Sequence, residues 1–208
     1  MISGYSQYKN DFFNKLAAPF RKGKTLLDVG CGDGMDSHIL QKEYGLRVTT
    51  TDVYKDKGLT KFPELPFKKG SMYRLPFPDN SFDYLFLHDV LHHIDEPAQR
   101  MTEHKKGLRE LRRVCKKGGM VILVDGNRYN PLFYPHMVKM RGHDHFRQSY
   151  FEEIISGVFS NDTVRFHYFE AHLYPQQWIG LFKIYEWFME HIVPRQFIAY
   201  NAAFITKK

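Results

Sequence analysis

The chain has only two cysteines in 208 residues, too few for a disulfide framework. Cys31 sits in a glycine turn and Cys115 near a helix end, so no pairing between them is expected. Apolar runs are short. None approaches the ~18 residues of a membrane span. Met1–Asn10 lacks the apolar core of a secretory signal, so a cytoplasmic location is the expectation. Internal repeats and low-complexity tracts are also missing, which excludes solenoids and compositionally biased segments. The glycine turn around Cys31 does not end in Gly-Lys-Ser/Thr, so it is not a phosphate-cradling P-loop.

What is present reads as a soluble globular protein, with 43% hydrophobic and 25% charged residues. The length suffices for one well-buried domain. The net charge of +7 permits an anionic partner. It does not demand one, because the basic residues are scattered. Runs such as Arg21-Lys22-Gly23-Lys24 read as solvated faces.

The most informative stretch is Thr25-Leu26-Leu27-Asp28-Val29-Gly30-Cys31-Gly32-Asp33-Gly34. An apolar run of this kind is a buried parallel strand. Glycines let the backbone take positive φ and approach a ligand closely. The helix that follows aims its first N–H groups at the turn. The spacing departs from the dinucleotide fingerprint, because position 35 is Met and the glycines fall at 30, 32 and 34. Asp28 would repel a pyrophosphate and suits a ligand with a cationic end.

Four more segments follow in order. Leu46–Asp52 is a β-branched strand ending in a carboxylate, which can accept hydrogen bonds from two ribose hydroxyls. Gly70-Ser71-Met72-Tyr73 opens a loop that leads to Asp83. Tyr84–Leu87 is an apolar strand with His88 at its C-terminal end, where ligands bind in open α/β sheets, and His92-His93 follow. Gln99–Cys115 is a helix with basic residues in its last turn, expected to end at Gly118-Gly119 before a buried strand to Asp125. In this order and spacing the five segments resemble the motifs of class I S-adenosylmethionine-dependent methyltransferases of the type 11 kind. The resemblance covers about Leu26 to Asp125. Ser71 stands where the family often has Asp, and Lys117 where it often has Pro.

That resemblance implies S-adenosylmethionine as cofactor. It implies Asp28, Gly30, Cys31, Gly32 and Gly34 around the methionine end, Asp52 and Val53 at the ribose, Ser71 and Met72 at the adenine, and His88 near the methionine part. The alternation of strands and helices forces right-handed crossovers. The expected fold is therefore α/β, a single Rossmann-like doubly wound sheet with helices on both faces. It is mostly parallel, with a last strand that the resemblance makes antiparallel. One domain is expected over 1–208, with an N-terminal helical segment at 1–23, a cofactor core at 24–126 and substrate-side loops plus the last two strands at 127–208. Met101–Gly107 reads as exposed extra length before the helix core. Asp162–Tyr174 and Phe197–Thr206 read as strands, and Trp178–Val193 as a helix with apolar residues on more than one face.

The expected reaction is methyl transfer to a small-molecule or lipid-like acceptor, through oxygen, nitrogen or carbon. Where the acceptor must lose a proton, His92, His93, His143 and His145 are the candidate bases, because imidazole titrates near neutrality. Tyr129–Phe146, aromatic and histidine-rich, is expected at the acceptor side. His143-Asp144-His145 lacks the i, i+4 spacing of a helical metal pair and a third ligand nearby, so no metal is expected. Nucleic-acid methylation is disfavoured. His88-Asp89-Val90-Leu91 stands where an exocyclic-amine enzyme has Asn/Asp-Pro-Pro-aromatic, and neither cysteine follows a proline, as a cytosine C5 nucleophile would. Two rival readings are a non-catalytic S-adenosylmethionine-binding protein and a peripheral enzyme on a membrane surface, using the basic charge and the 178–193 aromatics.

Overall fold

The computed structural model describes residues 4–96, 98–140 and 145–208. The elements run α1 (Gly4–Leu16), β1 (Thr25–Val29), α2 (Met35–Lys42), β2 (Arg47–Asp52), β3 (Phe67–Lys69), β4 (Phe82–His88), α3 (Met101–Val114), β5 (Cys115–Gly126), α4 (Gln148–Val158), β6 (Thr163–Phe169), α5 (Ile179–His191) and β7 (Tyr200–Thr206). The strands form one sheet in the order β3-β2-β1-β4-β5-β7-β6. Neighbours among β1 to β5 pair in parallel, with Leu27 of β1 opposite Thr49 on one side and Leu85 on the other. The chain enters β7 between β5 and β6, and the reciprocal bonds between Lys207 and Gly118-Gly119 are antiparallel. This is the mixed Rossmann-like sheet expected from the motifs. The order turns back between β1 and β4, which sets a ligand crevice at the C-terminal ends of those strands.

Two compact units make up the chain. The first comprises residues 19–124, 153–165 and 203–208. Its strands are buried on both faces: Leu26, Leu27, Leu85 and Phe86 are fully inaccessible. Each such side chain stabilises the fold by about 1.5–3 kcal/mol. α3 lays Leu108, Leu111 and Val114 on one face at helical spacing, all fully buried. Asp83 ties three segments together. It accepts from the Thr25 N–H at 3.0 Å, from Thr25 Oγ1 at 2.6 Å and from Lys116 Nζ at 3.2 Å. Burial works against the charged carboxylate, but these donors outweigh it and hold Asp83 well below the usual carboxylate range.

The helix before β5 ends at Val114, earlier than the glycine pair, because Cys115 is already extended and opposite Phe82. Tyr84 next pairs with Met120, so residues 116–119 bulge out of the ladder. Gly118 takes φ of 72°, and a Cβ on Gly119 would sit 2.8 Å from the Asp83 carbonyl oxygen. The glycines thus serve a bulge instead of a helix cap. Nor is Met101–Gly107 exposed throughout. His104 is fully buried with Nε2 3.0 Å from the Ile94 carbonyl oxygen, and Gly107 packs on Ile94 and Met72.

The second unit comprises residues 1–18, 125–152 and 166–202. Phe12 of α1 meets Phe169 and Tyr200 edge-on at 5.5 and 5.3 Å. A buried polar network lies beside them. Glu170 accepts from the Ala199 N–H and from Asn130 Nδ2, and pairs with His172 Nε2. Such groups are tolerated inside only when their hydrogen bonds are made. α5 turns its charges inward: Glu186 pairs with Lys15 and Lys183, Glu190 with Lys15, and Lys183 with Asp11. Its inward face carries these ion pairs with α1. α4 is an element the sequence reading did not include. Phe151, Ile154 and Ile155 are its fully buried face.

Candidate active site

In the first unit, β1, β2 and β4 deliver their C-terminal ends to one cavity of about 480 Å³. The strand-to-helix turn after β1 forms its floor. Gly30, Gly32 and Gly34 have φ of 75°, 49° and 84°, values that L-residues adopt only at a cost. The three glycines do different work. A Cβ on Gly30 would lie 2.4 Å from Val90 Cγ2. One on Gly34, at the N-cap of α2, would lie 2.4 Å from Leu59 Cδ1. One on Gly32 would meet nothing within 4 Å. Gly32 therefore borders the open space itself.

Asp52 closes the opposite wall. Its Oδ2 accepts from the Gly32 N–H at 3.1 Å and its Oδ1 from the Val53 N–H at 2.6 Å. The carboxylate is thereby aimed across the turn, and each oxygen retains further acceptor capacity. Ser71, Met72 and Tyr73 line a third side, with Ser71 Oγ accepting from the Tyr73 N–H at 3.2 Å. A turn of 3₁₀ helix, Leu91–His93, brings His93 to the fourth. Asp89 and Asp95 also border the cavity, at positive φ of 54° and 58°. Asp95 is drawn down to about 2 by its hydrogen bonds with Arg100, so it stays anionic. The Arg100 guanidinium compensates the Asp95 charge, and Asp52 foremost favours a cationic ligand in the hollow.

Of the residues singled out from sequence, Gly30, Gly32, Asp52, Val53, Ser71, Met72 and His93 share this cavity. Six others lie outside its lining. Asp28 is buried within β1 and accepts from Ser37 Oγ, so it braces the start of α2. The Cys31 thiol is pushed up to about 12 by burial and by the Asp28 charge, and stays neutral. Gly34 is occupied as the helix N-cap. His88 Nδ1 lies 2.7 Å from Asp36 Oδ2, with Nε2 3.5 Å from Asp89 Oδ2. His92 is buried in the 3₁₀ turn. His145 is buried in the second unit, its Nδ1 3.5 Å from Asp125 Oδ1. His143 lies outside the described residues. Tyr54, Tyr73, Asp89 and Asp95 border the cavity without having been anticipated. Only Tyr54 had a usable signal, its place two residues after the acidic strand end.

A family model described as a methyltransferase domain matches residues 27–123. An uncharacterized methyltransferase of Schizosaccharomyces pombe is 31% identical over 145 residues, covering 62% of this chain and 48% of that protein. Over that span the chain is similar to S-adenosylmethionine-dependent methyltransferases. A 2-methyl-6-phytyl-1,4-hydroquinone methyltransferase of Synechocystis is 33% identical over 135 residues, 60% of this chain and 40% of that one. The chain thus spans half or less of the length of these curated relatives. A solved S-adenosylmethionine-dependent methyltransferase from Archaeoglobus fulgidus shares the fold, with a TM-score of 0.69 at 16% identity, over 97% of this chain and 94% of that one. The cavity fits S-adenosylmethionine, the cofactor of these similar proteins. The open cradle at Gly32 admits a close-lying chain, and the surrounding carboxylates suit a ligand carrying an ammonium and a sulfonium. No helix among the described residues is long and apolar enough to cross a membrane.

Proposed function

We propose that the chain binds S-adenosylmethionine in the cavity at the ends of β1, β2 and β4 and directs its methyl group to a small lipid-like acceptor of the quinol or phenol class. The observation that carries this reading is the convergence, in one hollow, of the glycine turn, Asp52, the Ser71–Tyr73 loop and a histidine. The relative that acts on a phytyl hydroquinone supports the acceptor class. When bound, the cofactor supplies a methyl group already activated on a positively charged sulfur.

The chain's own residues then have limited work. The backbone at Gly30 and Gly32 seats the methionine end, Asp52 holds the ribose hydroxyls, Ser71 meets the adenine edge and Met72 its face. Fixing donor and acceptor in line removes about 7–11 kcal/mol of barrier by orientation alone. His93 is the proton acceptor in this reading, for an acceptor group that must be deprotonated. Its Nδ1 lies 3.2 Å from Glu96 Oε1. A proton held on Nδ1 by that carboxylate leaves Nε2 as the base. Such a base contributes about 10²–10⁴-fold.

The test has two stages. S-adenosylhomocysteine is titrated into the protein by calorimetry, and the protein is then incubated with methyl-labelled cofactor and a lipid extract containing quinols reduced in place. A labelled lipid product supports the proposal. Label appearing only in nucleic acid, or tight binding with no labelled product from any extract, overturns the acceptor class or the activity respectively.

A further inference from the structure

α5 is an amphipathic helix facing the unusual way round. Its charged residues, Lys183, Glu186 and Glu190, recur at i, i+3 and i+7 and are all engaged in ion pairs with Asp11 and Lys15 of α1 or with each other. Burial opposes the Lys183 charge, but the bonds to Asp11 and Glu186 raise its pKa, so it stays cationic. The opposite face carries Leu181, Ile184, Phe188 and, beyond the helix end, Ile192, again at i, i+3, i+7 and i+11, with Trp187 beside them. All five are about half exposed or more. A surface helix of a soluble protein normally shows the reverse pattern. An exposed apolar stripe of this size marks a contact surface.

We propose that this face of α5 docks the protein onto the surface of a lipid bilayer, lying in the interface plane. The inference rests on the proposed lipid-like acceptor, since a prenylated quinol resides in a bilayer and its enzyme gains by working at that boundary. Charge selects the occupant. The outward face bears no Lys, Arg, Asp or Glu, and its one imidazole, His191, is stacked on Trp187 at 5.0 Å, so the face complements the acyl–headgroup boundary of a neutral bilayer and offers little to a charged protein rim. Tryptophan favours that boundary, where its flat ring is apolar and its N–H meets water. Both tryptophans of the chain, Trp178 and Trp187, lie exposed at this helix. The surplus positive charge of the chain lies mostly in the unit built on residues 19–124. Docking through α5 is therefore driven by apolar burial and is insensitive to salt, unlike attraction of a basic patch to anionic lipid.

The experiment uses the whole chain and phosphatidylcholine vesicles. Because Trp178 and Trp187 are the only tryptophans, intrinsic fluorescence reports on this surface alone. The expected result is a blue shift on adding vesicles, and co-sedimentation that changes less than about twofold between about 0.1 M and about 0.5 M salt. Leu181→Glu with Ile184→Glu should weaken co-sedimentation by about tenfold or more, since each charge opposes insertion. Leu181→Gln with Ile184→Gln should give a smaller loss. Both side chains are exposed, so thermal unfolding and S-adenosylhomocysteine affinity should stay unchanged in each variant. Binding that requires anionic lipid and vanishes at high salt overturns the proposal. So does a dimer in solution that the double Glu variant dissociates while vesicles are ignored, which assigns the face to a second copy. S-adenosylhomocysteine binding without vesicle binding defeats the docking inference alone. Vesicle binding by a protein that ignores S-adenosylhomocysteine defeats the proposed reaction and leaves the surface as assigned.

Discussion

Two glycines two residues apart make a test in which stability and binding should separate. Gly30→Ala places a methyl group 2.4 Å from Val90 Cγ2 and 2.8 Å from Cγ1 at φ of 75°. The left-handed backbone costs about 1–2 kcal/mol for an L-residue. The overlap adds about 1–3 kcal/mol, because a β-branched neighbour has little rotamer freedom to retreat. Gly30→Ala should therefore destabilise the fold by roughly 2–5 kcal/mol. Gly32→Ala carries only the backbone cost, since its Cβ meets nothing within 4 Å. Its expected loss is about 1–2 kcal/mol. Yet that Cβ enters the cavity, so S-adenosylhomocysteine affinity should fall by about tenfold, the effect of about 1.4 kcal/mol. Urea unfolding measures the first quantity and calorimetric titration of the folded variants the second. Equal destabilisation by the two substitutions would refute the turn geometry. A Gly32→Ala protein that binds S-adenosylhomocysteine as the parent does would show that the open space belongs to no part of the ligand.

Other consequences are as direct. The Asp83 carboxylate has a folded pKa below its unfolded value, so its pairing stabilises the fold above about pH 4 and is lost as pH falls through the folded value. Asp83→Asn should cost about 1–3 kcal/mol near neutrality and flatten the acid limb of stability measured by urea unfolding from pH 7 to pH 2. His93→Gln should lower turnover by about 10²-fold or more with S-adenosylhomocysteine affinity unchanged, and Glu96→Gln by less, provided the acceptor loses a proton. Equal turnover in the parent and both variants, across a pH profile, would remove His93 from the mechanism. The Cys31 thiol, held neutral and buried, should resist alkylation at pH 8 in the native protein and react after urea unfolding. Rapid native alkylation, read by mass spectrometry, would contradict its placement.

The parts of the site that were legible are the ones written locally. A continuous apolar run, a glycine turn and a carboxylate at the next strand end require no knowledge of the rest of the chain, and Gly30, Gly32 and Asp52 do meet in one cavity. The fold class follows from the same local pattern repeated. What stayed hidden depends on how side chains turn once packed. Asp28 and Asp52 both end or precede a ligand turn, but only Asp52 lines the cavity, because Ser37 draws the Asp28 carboxylate under α2. Asp89 and Asp95 reach the cavity through left-handed backbone, which Asp tolerates better than most residues but does not dictate. The four histidines looked alike in sequence, and burial separates His92 and His145 from His93. α5 carries apolar residues around most of its circumference, so periodicity does not say which side faces in. The answer lies in ion pairs with Asp11 and Lys15, some 170 residues away in the chain. The bulge at Gly118-Gly119 is likewise a register effect between two strands.

The most direct test of the account is a titration of S-adenosylhomocysteine and of nicotinamide adenine dinucleotide into the parent protein and Asp52→Ala. The account predicts that the parent binds S-adenosylhomocysteine and not the dinucleotide. It also predicts that Asp52→Ala loses about 1–3 kcal/mol of that affinity, the scale for charge-assisted hydrogen bonds to a ribose, while remaining folded. Unchanged affinity in folded Asp52→Ala, or tighter binding of the dinucleotide, would contradict the assignment of the cavity.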